Sequence, residues 1–239
     1  MKLNSPEVLC PNCRLSDLCL PYGLQEHEVK LLATIVKNKR SLQTDDFLYW
    51  QGDECQSLFV VKSGSFRRFI TNLDGNEQTI GFYLPGELMG LDALNHERFS
   101  CSSVAIETGS VCELSLSCLN DLCSKIPNLQ TQMLRILGKE IASGHELILL
   151  LGHHSAKERM AIFLLSLSCR YGALGFSSIK FNLSMPRHDI ANFLGLTAET
   201  VSRQLADLGM LGAITVKQRS VQINDLDLLK AIVEPCSVV

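Results

Sequence analysis

The stretch 128–152 constrains this chain most. Leu134, Leu137, Ile141, Gly144, Ile148 and Leu151 recur at alternating spacings of three and four residues. That spacing lines them along one seam of a helix, the period a paired helix wants. Pro127 and Asn128 supply a start and Gly152 a stop. Unlike halves flank it: a cysteine-rich, strand-patterned half before, a compact helical unit after. The expectation is a homodimer formed by this helix pairing with its own copy. The competing reading is an ordinary amphipathic core helix.

At 239 residues the chain is long enough for two cores of ordinary size, and 46% hydrophobic with 20% charged is too apolar for disorder. No apolar run is long enough to span a bilayer, and no basic-then-apolar leader opens the chain. A soluble, cytoplasmic protein with no membrane partner is expected. The net charge of −3 argues against a generic nucleic-acid coat, but its distribution is uneven. Residues 155–239 hold nine Lys/Arg against seven Asp/Glu, whereas the remaining 154 hold 13 against 18. The last third is the better candidate for phosphate contact. Ten cysteines without a secretion signal point to buried thiols and ligands rather than disulfides.

Cys10, Cys13 and Cys19 form a C-x2-C-x5-C run in which Pro11 and Asn12 suit a tight loop. Three thiolates this close can grip a soft metal, but zinc and iron–sulfur clusters both need a fourth ligand from elsewhere in the chain. Cys112, Cys118 and Cys123 are the candidates. Cys112 sits in a strand-like run, where a lone cysteine is normally a small buried hydrophobe, and its neighbours Val111 and Glu113 should face the other way.

Residues 25–39 read as a short helix with Val29, Leu32, Ile35 and Val36 on one face. The pattern then changes. Gly52, Gly64, Gly75 and Gly86 recur at intervals of 12, 11 and 11 residues, each in turn chemistry. Strand-like runs lie between and after them, at 58–61, 66–70, 78–83, 104–106 and 111–116. Such spacing suggests an antiparallel barrel or roll.

After the long helix, residues 156–169 predict another apolar-faced helix and 171–178 a loop. Residues 187–194 predict a short helix, Gly195 a sharp turn, and Thr197 the N-cap of a second helix. Val201, Leu205 and Leu208 then face inward, while Glu199, Ser202, Arg203 and Ala206 share the outer face. This is a helix-turn-helix whose second helix shows a carboxylate, a hydroxyl and a guanidinium together. Strand-like runs at 213–216 and 220–223 read as a wing, with Lys217 and Arg219 at its tip placed to touch phosphate.

From Cys10 to about Ile223 the chain resembles the CRP/FNR superfamily of bacterial transcription regulators, in its oxygen-sensing FNR/ANR branch. The motifs are Cys10-x2-Cys13-x5-Cys19-Leu-Pro, Ile80-Gly-Phe-Tyr-Leu-Pro-Gly-Glu-Leu, Glu107-Thr-Gly-Ser-Val-Cys112-Glu and Leu194-Gly-Leu-Thr-Ala-Glu199-Thr-Val-Ser202-Arg203. The resemblance implies an α+β fold: an N-terminal antiparallel β-roll, a long dimerisation helix and a C-terminal winged helix-turn-helix. The expected division is a cluster-binding segment at 1–24, the roll at 25–126, the helix at 127–153 and the DNA-binding domain at 154–239.

The resemblance further implies that Cys10, Cys13, Cys19 and Cys112 hold a 4Fe–4S cluster, which favours Cys112 over Cys118 and Cys123. In this family the intact cluster favours the dimer that binds DNA, and oxygen converts it until the dimer falls apart. The implied partners are a palindrome near TTGAT-N4-ATCAA in double-stranded DNA, a second copy of the chain, and RNA polymerase. Arg203 suits a guanine edge, Glu199 a cytosine amine and Ser202 a neighbouring thymine. Thr197, Lys217 and Arg219 complete the expected DNA contacts.

Three features depart from the family pattern. Arg14 follows a ligand where a small polar residue is common, Gly144 takes a seam position where relatives carry an aspartate, and histidines stand at 145, 153 and 154. Two rival readings use the same fold. A cyclic-nucleotide regulator is suggested by Gly86-Glu87-Leu88, but the Arg-Ser pair expected downstream is replaced by Phe99-Ser100 or shifted to Arg98. A zinc-stabilised DNA-binding protein without redox sensing is the other. No nucleophile–base pair or nucleotide loop points to an enzyme.

Overall fold

The computed structural model describes residues 10–233, and at 37–39 the backbone alone. The ends of the expected segments 1–24 and 154–239, at residues 1–9 and 234–239, lie outside the described residues, as does Cys236. In chain order the elements are α1 (Glu26–Ile35), β1 (Val36–Leu42), β2 (Phe47–Tyr49), β3 (Ser57–Ser63), β4 (Phe66–Thr71), β5 (Glu77–Tyr83), β6 (Leu88–Met89), β7 (Ser102–Ala105) and β8 (Gly109–Ser115). There follow α2 (Leu116–Lys125), α3 (Pro127–His153), α4 (Ala156–Ala173), β9 (Lys180–Asn182), α5 (Arg187–Leu194), α6 (Ala198–Met210), β10 (Ile214–Lys217), β11 (Ser220–Ile223) and α7 (Leu226–Val233). Two compact units result: residues to Glu77 with Gly81–Ile141, and Ala142 onward with Gln78–Ile80.

In the first unit two four-stranded sheets, ordered β1-β8-β3-β6 and β2-β7-β4-β5, make the roll. Phe66, Phe69, Leu84, Met89 and Val111 are fully buried in it. Gly64 shows why glycine recurs in this half. It has φ +78, and a Cβ there would lie 2.8 Å from the Cα of Gly109, so two chain segments cross closer than any side chain allows. The first part of α3 is tied to the roll by a half-buried ion pair. Arg68 Nη2 lies 2.5 Å from Glu140 Oε1, and the Tyr83 hydroxyl donates to the same oxygen at 3.3 Å.

In the second unit α4, α5, α6 and α7 surround Met160, Leu164, Leu167, Ile190, Leu194, Val201, Leu208 and Leu229, all buried. The three-stranded sheet β10-β11-β9 closes it. Arg159 is the bracket. Its guanidinium donates to the carbonyls of Leu151 (2.8 Å), His154 (2.8 Å) and Leu194 (2.9 Å), satisfying chain ends at α3 and α5 that have no helical partners of their own.

Some elements differ from the expected ones. The helix expected over 25–39 ends at Ile35, and 36–42 is a strand. Val36 pairs with Leu114 and Arg40 with Val111, so these residues gain a sheet edge in exchange for about one helical turn. The loop expected at 171–178 begins later, because α4 continues to Ala173 before the Leu174 N–H caps it on Arg170 O. Lys217 ends β10 opposite Ser220 instead of forming the wing tip, which is Gln218-Arg219 with Gln218 at φ 55. Strands β6 and β9 have no counterpart among the strand-like runs of the sequence.

The seam on α3 is not a core face. Leu134, Ile141 and Ile148 are 63%, 61% and 69% exposed. Leu137 and Leu151 are half-buried, and Gly144 is exposed, with no described residue crowding it. The core-helix reading required the opposite.

Candidate functional site

The first site grows from a run of turns. After a 3-10 turn at Cys10–Asn12, the N–H of Cys13 bonds to Cys10 O, that of Ser16 to Cys13 O, and that of Tyr22 to Cys19 O. These turns wrap the three thiols over the β1-β8-β3 sheet. On that sheet Cys112 lies opposite Val60, while its neighbour Val111 is fully buried and Glu113 accepts from Ser57 Oγ at 2.8 Å. Strand alternation thus turns Cys112 away from the roll's core.

Cys10, Cys13, Cys19 and Cys112 line one partly open cleft whose empty volume, mouth included, is about 430 Å³. Its other walls are mainly apolar, including Leu20, Leu32, Val60 and Leu114. Cys118 and Cys123, on α2, are not among its lining. Arg14 is exposed beside it.

Crowding thiols in an apolar cleft penalises their anions. Burial, then the neighbouring Cys112 and Cys13, push the Cys10 thiol up to about 11, against a smaller downward pull from Lys62. Burial pushes Cys19 up to about 12, with Cys10, Cys112 and Cys13 adding to it. A cationic group in the cleft reverses both effects, since thiolates are its ligands. Among the described residues no three thiol, imidazole or carboxylate groups gather as a single metal ion would need. The four thiols share the lining of this one cleft.

The second site lies on α5 and α6. Gly195 ends α5 in the left-handed region at φ 62, which makes the sharp turn. Thr197 caps α6, its Oγ1 accepting from Thr200 N–H at 3.1 Å. Val201, Leu205 and Leu208 are buried, and Glu199, Ser202, Arg203 and Ala206 are exposed. Ser202 donates its hydroxyl to Ala198 O at 2.9 Å, leaving its oxygen able to accept. Lys217 and Arg219 are exposed at the wing. Sequence reasoning missed Arg187. It donates to Gln218 O at 3.1 Å, and burial with the nearby Arg219 charge lowers its pKa. The positive charges of Arg187 and Arg219 repel across this corner. The Pro-Arg start of α5 was its only signal.

Residues 39–126 match the family model of the cyclic nucleotide-binding domain, and residues 158–232 that of the Crp-like helix-turn-helix domain. Among curated relatives, the regulatory protein HlyX of Actinobacillus pleuropneumoniae is 41% identical over 92% of both chains. The fumarate and nitrate reduction regulatory protein of Shigella dysenteriae is 40% identical over 93% of this chain and 89% of its own. The chain belongs to the CRP/FNR family of transcription regulators. The solved structure of FixK2 from Bradyrhizobium japonicum is 27% identical, with a TM-score of 0.76, covering 82% of this chain and 96% of that one.

As a CRP/FNR regulator the chain has the expected α+β fold, with the antiparallel roll first, the long helix next and the winged helix-turn-helix last. Within the roll, the positions that raised the cyclic-nucleotide reading have other partners. Glu87 accepts from Leu84 N–H at 2.9 Å, and Arg98 donates to Gly52 O at 2.7 Å. Phe99 is buried and stacks on Tyr49 with ring centroids 3.9 Å apart. Among the described residues no helix is long and apolar enough to cross a membrane.

Proposed function

We propose that this chain is an oxygen-responsive transcription regulator in which Cys10, Cys13, Cys19 and Cys112 hold a 4Fe–4S cluster. The observation that carries the reading is the cleft itself, where thiols from two distant parts of the chain line one apolar pocket. The donor set fits. Four cysteines are the usual complement of such a cluster. Names of relatives such as "anaerobic regulatory protein" in Haemophilus influenzae agree with the oxygen-linked part.

When bound, the cluster supplies an oxygen-labile bond between the N-terminal turns and the roll. The chain's own residues do the rest. Cys112, fixed by pairing in β8, anchors one side of the cleft, and the turns carrying Cys10, Cys13 and Cys19 close the other. Holding those turns orders the neighbourhood of α3. Its exposed seam, Leu134, Leu137, Ile141, Gly144, Ile148 and Leu151, then pairs with a second copy. Pairing presents two α6 helices to one palindromic site in duplex DNA, near TTGAT-N4-ATCAA. Arg203, Glu199 and Ser202 read base edges, while Thr197, Lys217, Arg219 and Arg187 contact phosphate. RNA polymerase is the onward partner.

The assignment is tested by metal content. Anaerobically purified protein should carry about four irons and four sulfides per chain. Replacing Cys10, Cys13, Cys19 or Cys112 with Ala should abolish the brown chromophore, and Cys55→Ala or Cys118→Ala should not. A Cys112→Ala protein with a complete cluster spectrum would falsify the ligand set.

A further inference from the structure

α3 meets the cysteine segment through one buried polar side chain. Gln132, in the second turn, is only 8% exposed. Its Nε2 donates to the backbone carbonyl of Cys19 at 3.4 Å, the carbonyl that also accepts from Tyr22 N–H at 3.1 Å. Its Oε1 is buried with no hydrogen-bond partner among the described residues. One turn earlier, Asn128 Nδ2 donates to both oxygens of Glu28 at 3.1 and 3.2 Å, and Glu28 accepts from Gln25 N–H at 2.8 Å. The start of α3 is thus held on one side by α1 and the Cys19 turn. Leu134, two residues beyond Gln132, is exposed on the seam.

An amide buried with its oxygen unmet is costly, and native structures keep such groups only where something over-determines them. Here the packing of the Cys19 turn against α3 holds the amide in place. Release of Cys19 lets Oε1 regain water, so the two arrangements of this contact differ in free energy. A residue can couple two sites only if its contacts differ between two states in this way.

We propose that Gln132 is the positioning residue that couples the state of the cysteine cleft to the pairing of α3. The proposal rests on the four-thiolate reading above and names the route by which ligand loss reaches the seam. While Cys19 is held, its carbonyl fixes Gln132 and the first turns of α3 keep one orientation. Once Cys19 is free, the amide leaves for water and those turns lose their fixed neighbour. The route predicts that an apolar residue of similar length breaks the coupling while preserving the packing.

The test is Gln132→Met, which keeps volume and removes both the donor and the orphaned acceptor. The dimer dissociation constant is measured by sedimentation under nitrogen and again after air exposure, with iron and sulfide counted on the same samples. In the wild type the air-exposed constant should exceed the anaerobic one by a factor within the 5–150-fold span of about 1–3 kcal/mol couplings. Gln132→Met should hold the same iron and sulfide, yet its ratio should fall toward one. A fully loaded variant with the wild-type ratio overturns the proposal. So does a variant that cannot load, which would make Gln132 a structural support of the cleft. A wild-type protein that dimerises equally in both states would instead sink the oxygen-responsive reading, and the proposal with it.

Discussion

Arg203 and Lys217 are both exposed cations in the second unit, yet they should behave differently. Arg203 shares the outer face of α6 with Glu199 and Ser202, and Lys217 ends a wing strand. Arg203→Ala should cost roughly 1–3 kcal/mol on a TTGAT half-site and relax preference at the guanine. Lys217→Ala should weaken all sequences alike and lower the salt slope by about one unit. Anaerobic binding to wild-type and guanine-substituted sites across a salt series separates the two. Equal loss on both sites for Arg203→Ala would make it a backbone clamp. At this scale legibility in the sequence was uneven. The α6 trio was plain, because helical spacing alone sorts inward from outward residues. Cys112 was not, because a strand cysteine looks like any small buried hydrophobe and only the family motif singled it out. Gln132 was invisible, since a glutamine in a helix normally faces solvent and its burial depends on a turn more than a hundred residues away.

At the scale of elements, helices were easier to read than short strands. α5 and α6 carry their own caps and turn glycine, so their ends were marked locally. β6 has two residues, and β2 and β9 have three each, too few to show alternation. The β1 segment continued an apolar helical face in sequence, but pairing with β8 overrode it, a non-local gain that periodicity does not report. Two element-level predictions follow from the geometry. Thr197 caps α6, so Thr197→Ala should lower the stability of the second unit by about 1 kcal/mol in chemical denaturation, leaving the cysteine cleft untouched. Arg159 satisfies three carbonyls at once, so Arg159→Ala should cost more than the Thr197 change, about 2 kcal/mol or above, by the same measurement. A loss under half of that would mean water replaces the guanidinium freely.

At the scale of the molecule, the long helix is the shared element, with residues to 141 in one compact unit and those from 142 in the other. Its seam stays exposed in a single chain, and this suits a pairing surface whose use is conditional. Ile148→Glu would place two like charges across that seam, costly to bury, and should leave a monomer under nitrogen even with a complete cluster; sedimentation of an unchanged dimer would put the interface elsewhere. On the proposed function, the contents of the cleft govern DNA binding. The most direct measurement is an anaerobic sample of the full chain on a labelled TTGAT-N4-ATCAA duplex, titrated with air-saturated buffer. Cluster absorbance and DNA binding are followed in the same cuvette. Both should fall together, and neither should respond in Cys112→Ala. Full DNA binding after complete loss of the chromophore would contradict the proposed function.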